Sequence, residues 1–192
     1  MNDSSSSLNN TDNSLISKET EANSSNNISF EKQNISSEAF ENRIISAITA
    51  NLKEIIEENI KNGGEKYIMH DIFYLEEIPT ISLENYIKRL VKYTKINIST
   101  LILSIIYIDK FCEKCKYYLS FNNVYRLLLA STLMSIKFNE DVTVNTKTYS
   151  KIAGVTINDL NILEYQICIA LDFAFHIEAD YYQQYYSYFS KY

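Results

Sequence analysis

The sequence predicts an all-α protein: a bundle of five short helices with one further helix at each end. Three observations predict it. The run FNNVYRLLLASTLMSIKFNED, residues 121–141, is almost unbroken Leu, Ala, Met and Ile over 124–138, with neither Gly nor Pro. Such a run is long for a strand and fits a helix. Apolar residues recur at three- and four-residue spacing over 38–62, the period of an amphipathic helix. Nowhere does a sustained period-two alternation announce a strand.

Composition narrows the class. The chain has 192 residues and a net charge of −6, with a pI of about 5.0. It lacks the basic footprint of a nucleic-acid binder, and no nucleic-acid partner is expected. The most apolar window, 98–108, is too short to span a bilayer and runs into Asp109 and Lys110, so no membrane association is expected. Three cysteines are an odd count and suggest free thiols in a reducing compartment. The N-terminal MNDSSSSLNN has neither a basic nor an apolar signal region. An intracellular protein, nuclear and/or cytoplasmic, is the expectation.

Residues 1–36 are mostly Ser, Asn, Thr and acids, with Phe30 the sole aromatic. They cannot bury enough surface to offset their ordering entropy, and a disordered tail is expected. The only proline is Pro79, so the tail offers no Ser-Pro or Thr-Pro site for a proline-directed kinase. Residues 37–64 read as an amphipathic helix: Phe40, Ile44, Ile45, Ile48, Leu52, Ile55, Ile56 and Ile60 recur at three- and four-residue spacing, and the polar face carries Glu54, Glu57, Glu58 and Lys61. Ser37 is its expected N-cap and Gly63-Gly64 its end. Residues 67–78, with His70, read as a loop.

Ser82 is expected to cap a helix through about Tyr93, with Leu83, Tyr86, Ile87, Leu90 and Val91 inward. The next helix runs from about Ser99 to Cys115 and is apolar nearly all round. The third is the opening run. Its Val124, Leu127, Leu128, Leu129, Leu133, Met134 and Ile136 circle most of the circumference, which places it in the middle of the bundle. Lys137, Glu140 and Asp141 end it abruptly. A short fourth helix, 147–153, stops at Gly154, an expected left-handed cap. Thr156 opens the fifth, with Asp159 as an acidic variant of a capping box. Residues 178–192, dense in tyrosine, read as one more helix laid on the surface.

The phrases IPTISLENYIKRLVKY, IIYIDKF, NNVYRLLLASTLMSIKF and NTKTYSKIAGVTINDLNILE, in that order, resemble a cyclin box. The resemblance is to the single-box P/U-type branch that includes the fungal phosphate-regulating cyclins, and it covers residues 78–177. The sequence departs from that branch at Tyr125, Lys110 and Ala153. The resemblance implies a single five-helix cyclin-box bundle and a regulatory subunit, not an enzyme, with a cyclin-dependent protein kinase as partner. It implies no cofactor, no metal and no catalytic residue. By the same resemblance, a lysine ending the third helix and a glutamate in the fifth hold main-chain groups of the kinase, here Lys137 and Glu164. Asp141 matches an acidic position facing the kinase activation segment. Arg89 and Asp109 resemble a buried structural pair tying the first helix to the second, whose breakage would cost about 3–5 kcal/mol.

Blander readings stand beside these. Without the resemblance, Lys137 reads as a snorkelling cation favoured by a helix C-terminus, and Glu164 as an ordinary surface acid. Cys112 and Cys115 form a CxxC, but near a helix C-terminus, where the dipole raises a thiol pKa. No second pair completes a zinc site, and buried structural thiols are expected. His70 and His176 lack companions, and three glycines leave no phosphate-binding loop. The functional alternatives are a kinase-independent helical adaptor or transcription-factor-like protein sharing the fold, and, more remotely, an enzyme using the CxxC.

Overall fold

In the computed structural model of the chain, residues 12–63, 71–141 and 144–191 are described, with side chains described from residue 37 onward. Every regular element among the described residues is a helix. In order these are α1 (Asp12–Lys61), α2 (Leu83–Thr94), α3 (Ile98–Cys115), α4 (Val124–Asn139), α5 (Thr146–Ala153), α6 (Ile157–Ala170) and α7 (Ala179–Ser190). The five helices expected of the bundle are α2 to α6, in the expected order and starting within three residues of the expected positions.

Local chemistry sets the ends. The Ser82 hydroxyl accepts the Asn85 N–H at 3.3 Å, the cap foreseen for α2. Asn145 does the same for α5, its Oδ1 accepting the Thr148 N–H at 2.8 Å. Thr156 Oγ1 accepts the Asp159 N–H at 3.0 Å and donates to the Asp159 carboxylate at 2.7 Å. The acid therefore returns to the cap's hydroxyl, whereas a capping box returns to its backbone N–H. Gly154 closes α5 at φ +75°, its N–H on the Ser150 carbonyl. Left-handed residues also follow α2, α3 and α6, but there they are Lys95, Lys116 and Asp172, positions glycine would occupy more easily.

Helix α4 is the centre. From Val124 to Ile136 every residue except Arg126 is buried, as a helix apolar on all sides requires. Helix α3 packs against it most extensively, with α6 and α2 also against α4 and α5 between α2 and α6. Several polar atoms in this core find partners across the bundle, while the buried Thr132 Oγ1 on α4 has none. Ser135 Oγ donates to the Thr100 carbonyl at 2.7 Å, and the fully buried Tyr149 hydroxyl donates to the Leu129 carbonyl at 3.0 Å. Tyr125 packs edge-on against Tyr86 and donates to the Ile81 carbonyl. Burying these groups unpaired would cost about 1–3 kcal/mol each.

Two expectations at the ends change. Helix α1 begins at Asp12, so Ser37 lies inside it and caps nothing, and residues 12–36, expected to be disordered, are helical. Extending an existing helix adds one hydrogen bond per residue without a second nucleation. Composition alone does not register that. The remainder of the disordered-tail expectation, on residues 1–11, lies outside the described residues, as does His70. Contacts divide the chain between Glu41 and Asn42. Within the second unit Ile44, Ile45, Ile48, Leu52 and Ile56 of the expected stripe are buried, while Ile55 is half-buried and Ile60 exposed. Helix α7 does more than lie on the surface: Phe189 is buried and Tyr185 bonds into α3.

Candidate functional site

The site grows from the ends of two helices. Helix α4 is buried through Ile136, and its next residue, Lys137, emerges to solvent. The Thr156 cap fixes the start of α6, and Leu160, Leu163 and Ile167 turn that helix inward. Glu164, one residue past Leu163, is thereby held at the edge of the buried stripe, facing α4. Lys137 Nζ and Glu164 Oε1 meet at 2.5 Å, with side chains 37% and 22% exposed. Beneath them Cys168 Sγ lies 3.6 Å from Met134 Sδ. Burial pushes the Cys168 thiol pKa up, Glu164 adding to the shift and Lys137 opposing it.

The two residues singled out in the sequence are therefore brought together across 27 residues of chain, and each partners the other. Asp141 is exposed just beyond α4. Its neighbour Glu140 turns back, accepting a hydrogen bond from Thr100. No bond joins Asp141 to the Lys137–Glu164 pair among the described residues.

The helices that carry the pair also expose apolar side chains, and sequence reasoning did not single these out. Phe138 is 52% exposed, and Ile162, Tyr165 and Ile169 form an exposed stripe on α6 at three- and four-residue spacing, opposite its buried face. Phe173 is 65% exposed, in the turn after α6. An α6 apolar on two faces was a legible signal that one of them is for something other than the core. Beside the pair a polar brace fixes the backbone. Tyr107 donates to the Phe175 carbonyl at 2.8 Å, and Asn139 donates to the Tyr107 hydroxyl at 3.3 Å and to the Ser135 carbonyl at 2.9 Å. Phe175 packs edge-on to Tyr107, with the Phe138 ring centroid 5.9 Å away.

The expected Arg89–Asp109 pair is not formed. Arg89 is exposed; the inward stripe of α2 is Leu83, Tyr86, Ile87, Leu90 and Thr94, and a residue between Ile87 and Leu90 falls outside it. Asp109 instead accepts the Tyr185 hydroxyl at 2.7 Å, tying α7 to α3. Burial raises the Asp109 pKa above the usual carboxylate range, the tyrosine hydroxyl works against that, and Glu113 adds to it. The cysteines of the CxxC are free, Cys112 half-buried and Cys115 exposed, so only the first fits the expectation of buried thiols. Burial pushes the Cys112 thiol up to about 12, far from the thiolate that redox or zinc chemistry needs.

The sequence matches the family model for cyclins over residues 3–175. It is similar to Cyclin-U2-1 of Arabidopsis thaliana, 30% identical over 59% of this chain and 52% of that protein. It is 26% identical to Cyclin-U4-1 of the same plant, over 78% of this chain and 75% of the relative. To Cyclin-P3-1 of Oryza sativa subsp. japonica it is 28% identical, over 57% and 46%. The chain spans about half the length of the first of these relatives.

Proposed function

Since the chain belongs to the cyclin family, we propose that it is a regulatory subunit that binds a cyclin-dependent protein kinase and activates it, with Lys137 and Glu164 as the polar contacts. The observation that carries this reading is their meeting at one surface point, on two helices that also expose Phe138 and the stripe Ile162, Tyr165 and Ile169. An ammonium donates up to three hydrogen bonds and a carboxylate accepts several. Side by side they offer both polarities to the main chain of a partner helix, while the exposed apolar side chains of the same helices supply area. In a protein kinase the catalytic Lys–Glu ion pair forms only when the regulatory helix is in place. A partner that binds only that arrangement raises its population and performs no chemistry itself. Asp141, exposed beyond α4, is the proposed contact for the activation segment.

The test is affinity purification of the tagged chain from its source cells, with mass spectrometry and a kinase assay on the eluate. A stoichiometric cyclin-dependent kinase with activity in the eluate is expected. A clean preparation devoid of any kinase overturns the reading in favour of a kinase-independent adaptor.

A further inference from the structure

An open cleft of about 510 Å³ lies where the end of α3 meets the turn after α6, with Lys110, Lys114 and Lys116 in its lining beside Glu113 and Asp172. Three ammonium groups in one concavity are a local inversion in a chain of net charge −6. Lysines at a helix C-terminus are ordinarily favoured by its unpaired carbonyls, and here backbone N–H groups already take two of those carbonyls at each helix end. The Tyr117 N–H bonds the Cys112 carbonyl at 2.9 Å and the Lys116 N–H bonds Glu113 at 3.4 Å. After α6, the Phe173 N–H bonds the Cys168 carbonyl at 2.9 Å and the Asp172 N–H bonds Ile169 at 3.0 Å. Both are Schellman closures, with Lys116 and Asp172 as their left-handed residues. Fewer carbonyls are thus left to account for the lysine charges.

One ammonium already holds an anion. The Asp172 carboxylate sits on Lys114, at side-chain exposures of 79% and 45%. Its backbone has φ +50° and is followed by Phe173 at φ +57°, a conformation that two consecutive non-glycine residues adopt at a cost. The Lys110 ammonium lies 5.8 Å from the ring centroid of Tyr181. Lys116 is exposed and forms no ion pair among the described residues. Leu171 and Ala174 give the cleft an apolar wall.

We propose that this cleft binds a phosphoryl dianion through Lys114 and Lys116, with Lys110 beside them, and that Asp172 is the internal group it displaces. A phosphoryl group carries about −1.5 to −2 charge and three acceptor oxygens, against the single charge of the carboxylate that now occupies Lys114. The cleft is larger than a bare oxyanion, which leaves its apolar wall for whatever bears the phosphoryl group. The two sources are free inorganic phosphate and a phosphorylated side chain.

The test needs no kinase, so its failure is separate from failure of the kinase reading. The isotope-labelled full chain is titrated with inorganic phosphate, with a short phosphoserine peptide and with the unphosphorylated peptide, following backbone amide shifts. Saturable shifts confined to residues 110–117 and 171–174, from the phosphoryl compounds alone, are expected. Tighter binding of the peptide makes a modified side chain the source, and equal binding makes it the free ion; both support the site. Lys114→Gln with Lys116→Gln abolishes the shifts. Asp172→Asn, which removes the competitor, tightens binding by up to about fivefold, and added salt weakens it. Absence of saturable shifts, shifts that persist in the double variant, or weaker binding in Asp172→Asn overturns the proposal.

Discussion

The charge swap Lys137→Glu with Glu164→Lys separates two roles the pair could have, stapling α4 to α6 or presenting charge to a partner. The geometry sets the magnitudes. At 2.5 Å, with side chains 37% and 22% exposed, the pair is well screened, and its contribution to folding is about 0.2–1 kcal/mol. Each single reversal places like charges together and costs a similar amount, so urea midpoints should fall slightly. In the swap opposite charges face each other again, and the midpoint should return most of the way. Kinase binding should follow another course. With donor and acceptor exchanged, both main-chain contacts are lost and each is replaced by a repulsion. A mismatch of this kind at an interface costs about 2–5 kcal/mol, a roughly thirtyfold or greater loss of affinity. The assay is a four-member cycle, with stability from urea unfolding and affinity from titration against the kinase recovered with the wild-type chain. A swap that regains both stability and wild-type affinity would refute the reasoning, because the pair would then be only a staple.

Three other outcomes follow from the structure. The Asp109 carboxyl has a raised pKa in the folded chain, so the native state holds its proton to higher pH than the unfolded state does. Stability from this group is full below the unfolded pKa and is lost as pH rises through the folded one. Asp109→Asn keeps an acceptor for Tyr185 and should flatten that part of the stability–pH curve and raise the urea midpoint at neutral pH; an unchanged curve would count against the burial argument. Cys115 is exposed, whereas burial holds Cys112 up to about 12, so a thiol reagent at neutral pH should modify Cys115 in the folded chain and Cys112 only on unfolding, as peptide mapping would show. Tyr149→Phe removes the buried hydroxyl bond to Leu129 and should cost about 0.5–1.5 kcal/mol by urea unfolding, with the helical circular dichroism unchanged.

Helix class, the order of α2 to α6, the central place of α4 and the caps at Ser82, Gly154 and Thr156 were legible in the sequence, because periodicity, side-chain caps and Gly154 act over a few residues. The positions of Lys137 and Glu164 were legible as well, through the family phrases around them. The N-terminal extent of α1 was not, since its composition reports burial capacity and not the ease of lengthening a helix that already exists. Nor was the partner of Asp109. Tyr185 is 76 residues away, and the pair follows from how α7 lies on α3, whereas Arg89 is turned outward by the stripe of α2. The left-handed ends at Lys116 and Asp172, without glycine to announce them, and the cleft between them likewise come from tertiary packing. The sequence by itself determined which segments are helices and which faces must be buried, because those are matters of local period and polarity. Only the tertiary structure decided which polar groups meet across the bundle, because a hydrogen bond or ion pair depends on a few ångströms set by how whole helices pack.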